Sequence, residues 1–123
     1  YDITGSCTTY AGGGGSGTYA PNPSPGAFTA GSGGSGGGGT GGRDGVDGTA
    51  GGANTGGGGG GGYASCSVTN RSGGAGGSGI LVVRGPSAVT FTVSPCTNST
   101  GTVPGPSTDK IATFTVSGTL TVS

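Results

Sequence analysis

The chain has 123 residues, of which 36 are Gly, 28 % are hydrophobic and 7 % are charged. That length suits one ordinary domain, but the apolar share falls well short of the ~45–50 % of a usual globular core. Four Lys+Arg balance four acidic residues, so the net charge of zero disfavours nucleic acid and anionic membrane as partners.

In chain order, Asp2–Tyr10 (DITGSCTTY) reads as a weak strand. A glycine block then runs from 11 to 79 and holds 31 of the 36 Gly. It contains four runs, Ala11–Gly17, Gly31–Gly42, Gly51–Gly62 and Gly73–Gly79, whose starts lie 20, 20 and 22 residues apart. Such spacing is a coarse internal repeat. The bulkier segments between them, Thr18–Ala30, Arg43–Ala50 and Tyr63–Ser72, read as turns. A flexible Gly/Ser linker is the plain alternative. The periodic punctuation favours instead a slab of four polyglycine-II-type arms joined by three turns. Gly lacks a Cβ, so extended three-residue-per-turn helices can pack backbone to backbone and hydrogen-bond sideways.

Beyond the block, Ile80–Val83 is a short apolar strand bounded by Gly79 and Gly85-Pro86. Ala88–Ser94 alternates Val89, Phe91 and Val93 with Thr90 and Thr92, the pattern of a strand buried on one face. Pro95 to Pro106 reads as a connection. Ile111–Ser117 and Thr119–Ser123 repeat the alternation, with Gly118 as a bulge or kink. No segment carries a helical period. The expected fold class is mostly irregular and all-β: a slab of polyglycine-II-type helices flanked by short antiparallel β-strands. Two parts are expected, a glycine-rich slab with flanking strands at 1–85 and a strand segment at 86–123 that pairs with the same or a neighbouring subunit.

Chemistry is sparse. The chain has no His, which removes Ser-His and Cys-His nucleophiles and His-ligated metals. Asp2, Asp44, Asp47 and Asp109 are too scattered for a glycosidase pair. No enzyme activity, cofactor or metal is expected. No apolar stretch is long enough to cross a membrane as a helix. The start at Tyr1 suggests a processed chain or a piece of a longer one.

Three cysteines are an odd count. If the arms alternate in direction, Cys66 and Cys96 fall at one end and are the expected disulfide, leaving Cys7 free or bonded to a neighbour. Three free thiols in a reducing compartment are the alternative. Asn70-Arg71-Ser72 and Asn98-Ser99-Thr100 fit the N-glycosylation triplet. Arg43–Gly48 (RDGVDG) reads as a turn, with calcium ligation by its two carboxylates the weaker option. Tyr19, Phe28 and Tyr63 fall at one end of the slab, where aromatics suit receptor or sugar contact, or plug the slab. Thr90-Phe91-Thr92, Thr113-Phe114-Thr115 and Thr119-Leu120-Thr121 resemble the Thr-x-Thr rows of some ice-binding proteins. Good strand formers on a solvent face explain them equally.

Three segments carry a family resemblance: TTYAGGGGSG at 8–17, GGANTGGGGGGGYAS at 51–65 and GGAGGSGILVVRG at 73–85. Together, over roughly residues 3–85, they resemble the glycine-rich domains of phage tail-fibre and bacterial surface proteins, where a Gly block ends in a GGSGI-hydrophobic-Arg strand. In that family a TFTxSGTxTV strand precedes the Gly block, whereas here TFTVSGTLTV lies at 113–122. The resemblance implies a non-enzymatic extracellular module of a fibre or filament, at a cell or virion surface, assembling with copies of itself through strand pairing. A receptor-binding tip that contacts a cell-surface glycan or receptor is the alternative, and an ice-binding protein a minor one. With the family's strand order displaced, 111–123 is expected to complete a neighbour's sheet.

Overall fold

Gly-rich chain cannot bury side chains, so its order rests on where its backbone hydrogen bonds go. In the computed structural model, which describes residues 2–20, 28–66 and 69–123, the chain divides into two compact units. Thr9–Gly79 form the glycine unit, and Tyr1–Thr8 with Ile80–Ser123 form the strand unit. Among the described residues there is no helix, and the regular elements are short, mostly antiparallel β-strands. The strand at 81–85, grouped by sequence with the glycine block, pairs instead inside the strand unit.

Within the glycine unit the bonds recur at every third residue. Gly12, Gly15 and Thr18 donate to the carbonyls of Gly36, Gly39 and Gly42. Gly58, Gly61 and Ala64 donate to Gly12, Gly15 and Thr18, while Gly39 and Gly42 donate to Gly58 and Gly61. Antiparallel neighbours keep the same step: Gly31 and Gly34 donate to Ser16 and Gly13, and Gly74 and Gly77 to Gly60 and Gly57. The bonds define six segments, at 10–18, 29–34, 38–42, 47–52, 57–63 and 71–78. The second, third and fourth form one row, and the first, fifth and sixth form another bonded to it. At the end of the first row-spanning segment, β1 (Tyr19–Ala20) pairs in parallel with β2 (Ala64–Ser65).

Four arms were expected, and six segments are found. Two of the long Gly runs reverse internally, at Ser35–Gly37 and at Ala53–Gly56. The reversals place Gly36, Gly37, Asn54 and Gly56 at positive φ, a region Gly enters without steric cost, so a turn inside a Gly run leaves no mark in composition. The segments' directions put both tight turns at one end. The other end carries the Arg43–Val46 turn, the stretch following Tyr63, and the points where the chain leaves at Thr18 and returns at Thr29. The centre of the 18–30 connection, residues 21–27, and residues 67 and 68 of the 63–72 connection lie outside the described residues.

The strand unit is built conventionally. β3 (Leu81–Gly85), β6 (Lys110–Phe114) and β5 (Ser99–Thr102) form an antiparallel sheet in the order β3-β6-β5, and β4 (Phe91–Ser94) pairs with β7 (Thr119–Val122). Alternation sends Ala112 and Phe114 of β6 inward, where with Val103 they make the small core. The Phe91 ring fills the space beside Gly85. Asp2–Tyr10, expected as a strand, is irregular. Its start is held by Arg84, whose guanidinium donates to the Asp2 carbonyl at 3.1 Å, Asp109 Oδ2 at 2.9 Å and Ser107 Oγ at 3.2 Å. Within Pro95–Pro106, read as a connection, β5 forms by pairing with β6; its four exposed residues, Ser-Thr-Gly-Thr, carry no apolar alternation to announce a strand. The 110–122 strands close within their own chain, β6 as the central strand of its sheet and β7 on β4, rather than standing free for a neighbour. No helix of the described residues is long and apolar enough to cross a membrane.

Candidate functional site

The loop end of the glycine unit gathers most of the side chains that can contact a partner. Arg43–Val46 is a tight turn closed by the Val46 N–H donating to the Arg43 carbonyl at 2.8 Å, with Asp44 and Gly45 both at positive φ. Asp tolerates that region and Gly favours it, and the two together set the hairpin-type turn. The result pushes Val46 outward, 63 % exposed. Asp47 is tied down: its Oδ1 accepts the Ser72 N–H at 3.0 Å. The RDGVDG motif is therefore a turn whose second carboxylate braces the start of the sixth segment. Across the gap, the Arg71 N–H donates to the Tyr63 carbonyl, and Asn70 Oδ1 accepts the Ser65 N–H.

The three aromatics expected together divide in role. Tyr19 and Phe28 are exposed, whereas Tyr63 is buried. Tyr63 is the only buried large hydrophobic among the described residues of the glycine unit, so its ring is withdrawn from the surface. Val46 takes its place on the surface. A single Val between two Asp-Gly pairs was the signal available for it, since it closes a short surface turn with no apolar neighbour to pack against. Among these loops, Arg43 and Arg71 are matched by Asp44 and Asp47, so the end presents apolar side chains without a net charge.

Cys7, Cys66 and Cys96 are exposed and free, and the expected Cys66–Cys96 disulfide is not formed. The two residues belong to different units. Cys66 instead meets Tyr19, its Sγ lying 2.9 Å from the phenol oxygen because β1 and β2 run side by side. The hydrogen bond to Cys66 holds the Tyr19 phenol above its ordinary pKa, reinforced by the negative charge that the thiol acquires on ionising. Cys66→Ser retains a weak partner and Cys66→Ala removes it. Ultraviolet titration of the alanine variant is expected to show one tyrosine ionising at lower pH than in the parent chain.

The two sequons differ. Asn70 is exposed. Asn98 is 4 % exposed, with its Oδ1 accepting the N–H groups of Thr115 (3.1 Å) and Val116 (3.3 Å). Its Nδ2 is enclosed against Gly118, so a glycan on Asn98 does not fit this folded arrangement, whereas one on Asn70 would point to solvent. The Thr-x-Thr rows also separate. Thr92 faces Thr121, and Thr90 bonds Ser123 through the backbone, but Thr113 lies in the other sheet. The hydroxyl row is thus only two strands wide. Comparison of the chain with protein-family models, curated proteins and solved structures gives no match.

Proposed function

We propose that this chain is a non-enzymatic structural module of an extracellular fibre or filament, and that its glycine unit is a slab of polyglycine-II-type helices. The observation that carries the reading is the three-residue hydrogen-bond step kept across six segments. A helix with three residues per turn returns the same face, and the same N–H, to a given neighbour at each turn. Some of the non-Gly residues keep the same step, Tyr10 and Ser16 in the first segment, Asp47 and Ala50 in the fourth, and Ser72, Ala75 and Ser78 in the sixth, while Ala11, Thr18, Thr49 and Arg71 fall off it. Such a slab spends its backbone groups on rigidity and leaves few side chains for chemistry, which suits a spacer or scaffold. The likeness of its closing GGSGILVVR stretch to phage tail-fibre and bacterial surface domains points the same way.

A second reading, a binding tip, is favoured by the exposed Tyr19, Phe28 and Val46 at one end whose charges cancel. Apolar and aromatic surface without net charge suits a neutral glycan or receptor face. Electron microscopy of the purified chain separates the two. A structural module gives particles that join into regular linear assemblies. Discrete particles that bind cells, and lose that binding on Val46→Arg, favour the tip.

A further inference from the structure

We infer that the free edge of β3 is a self-association edge, which pairs with β3 of a second copy in antiparallel register. The sheet order β3-β6-β5 leaves one side of Leu81–Gly85 without a strand. Among the described residues no backbone hydrogen bond outside the β3–β6 ladder involves 81–85. This edge follows directly on Ile80 and carries Leu81, Val82 and Val83, the longest unbroken stretch of large aliphatic residues in the chain. Leu81 is 58 % exposed.

Edge strands of soluble proteins are usually blunted by Lys, Pro, a bulge or an inward charge. β3 has none of these over Leu81–Val83. Its one charge, Arg84, is drawn away to Asp109, Ser107 and the Asp2 carbonyl. The opposite edge of the same sheet, β5, is Ser-Thr-Gly-Thr with all four residues exposed, polar side chains that offer a partner no apolar surface. The contrast assigns association to β3.

A copy of the same chain is the occupant the observations favour. β4 and β7 also keep one open edge each, but both alternate Thr or Ser with their apolar residues and are engaged with each other, whereas β3 alone offers three consecutive aliphatic residues, a sequence that matches itself. Antiparallel pairing of β3 with itself about a twofold axis at Val82 sets Leu81 against Val83 and Val82 against its own copy, leaves Arg84 outside the paired stretch, and joins two three-stranded sheets into one of six. The net charge of zero leaves no overall repulsion between copies. An edge filled in this way is closed, so growth into a fibre requires a further contact elsewhere. The inference rests on the fibre reading only for what the dimer is used for.

The test is sedimentation of the full 123-residue chain across a concentration series, with hydrogen exchange at 81–84. The parent chain is expected to reach twice the chain mass as concentration rises, with slowed exchange at these amides. Leu81→Lys places a charge on an already exposed edge position and is expected to weaken dimerisation at least tenfold. Thr100→Lys, on the β5 edge, leaves it unchanged. Leu81→Thr keeps strand propensity and serves if the lysine variant fails to fold; it is expected to weaken dimerisation in the same direction. A parent chain that stays monomeric overturns the inference, as does a dimer indifferent to both Leu81 variants or equally sensitive to Thr100→Lys. A β3 dimer without filaments in the microscope leaves the edge pairing standing and removes the fibre reading alone.

Discussion

Gly60→Ala is expected to unfold the glycine unit while sparing the strand unit. Gly60 sits in the fifth segment, which is bonded to segments in both rows, and it is buried. A Cβ there would run into the carbonyl of Thr40 and lie 2.8 Å from the Gly41 nitrogen. Overpacking a side-chain core costs about 1–3 kcal/mol, because rotamers and neighbours give way. Here the obstacle is backbone, fixed by bonds on several sides, and relieving the overlap breaks the register of the third and fifth segments together. The cost is expected to exceed about 3 kcal/mol, a large part of the ~4–11 kcal/mol that a unit of this size holds in total. Gly13→Ala is the matched control, since its Cβ would meet nothing within 4 Å. Its φ is not among the positive ones. That change is expected to be neutral or to stabilise by about 0.4–1 kcal/mol through the unfolded chain. Hydrogen exchange over 9–79 reads the difference. Equal protection in the two variants would mean that the segments are not packed as the bonds indicate.

The same contrast explains what composition could and could not reveal. Gly runs at regular spacing announce a packed backbone array, and alternation in AVTFTVS and IATFTVS announces two strands that the structure contains. The number of segments was hidden, because Ser35–Gly37 and Ala53–Gly56 reverse the chain inside runs where every residue type present already tolerates a turn. A finer signal was available in the placement of the exceptions. Ser72, Ala75 and Ser78 occur three apart and are all exposed, whereas Gly57 and Gly60, also three apart, are buried. Reading the non-Gly residues at period three identifies outward faces directly. Gly58, between those two buried positions, is a poorer probe than Gly60. A Cβ at Gly58 finds one close atom, the Gly14 nitrogen at 3.0 Å. The candidate site was half legible for a related reason. Exposure of Tyr19 and Phe28 follows from their place in a connection, but burial of Tyr63 follows from the hydrogen bonds around it, in which Arg71 closes onto its carbonyl.

Asn98→Ala is expected to destabilise the strand unit by about 2–3 kcal/mol, the largest effect of any side-chain truncation outside the apolar core. Local sequence marks Asn98 only as a surface sequon, yet it does the work of a buried cap. Its Oδ1 receives two consecutive N–H groups, Thr115 and Val116, where the chain leaves β6 and turns towards β7. Those amides lie past the end of the β6 ladder and have no strand partner in the register. Removing the acceptor strands both donors in a partly buried turn, and each lost bond of that kind costs about 1–3 kcal/mol. The enclosed Nδ2, which has no partner among the described residues, goes with it and returns part of the cost. Gly118 reports on the same packing: a Cβ there would strike the Ser94 carbonyl and Asn98 Nδ2, so Gly118→Ala is expected to destabilise the same turn. Asn70→Ala, at the exposed sequon, is expected to stay within about 0.5 kcal/mol of the parent chain. Urea denaturation gives the magnitudes, and faster exchange at Thr115 and Val116 in Asn98→Ala locates the cause. Unchanged exchange at those two amides would show that the Asn98 side chain does not hold the turn, whatever the midpoint does.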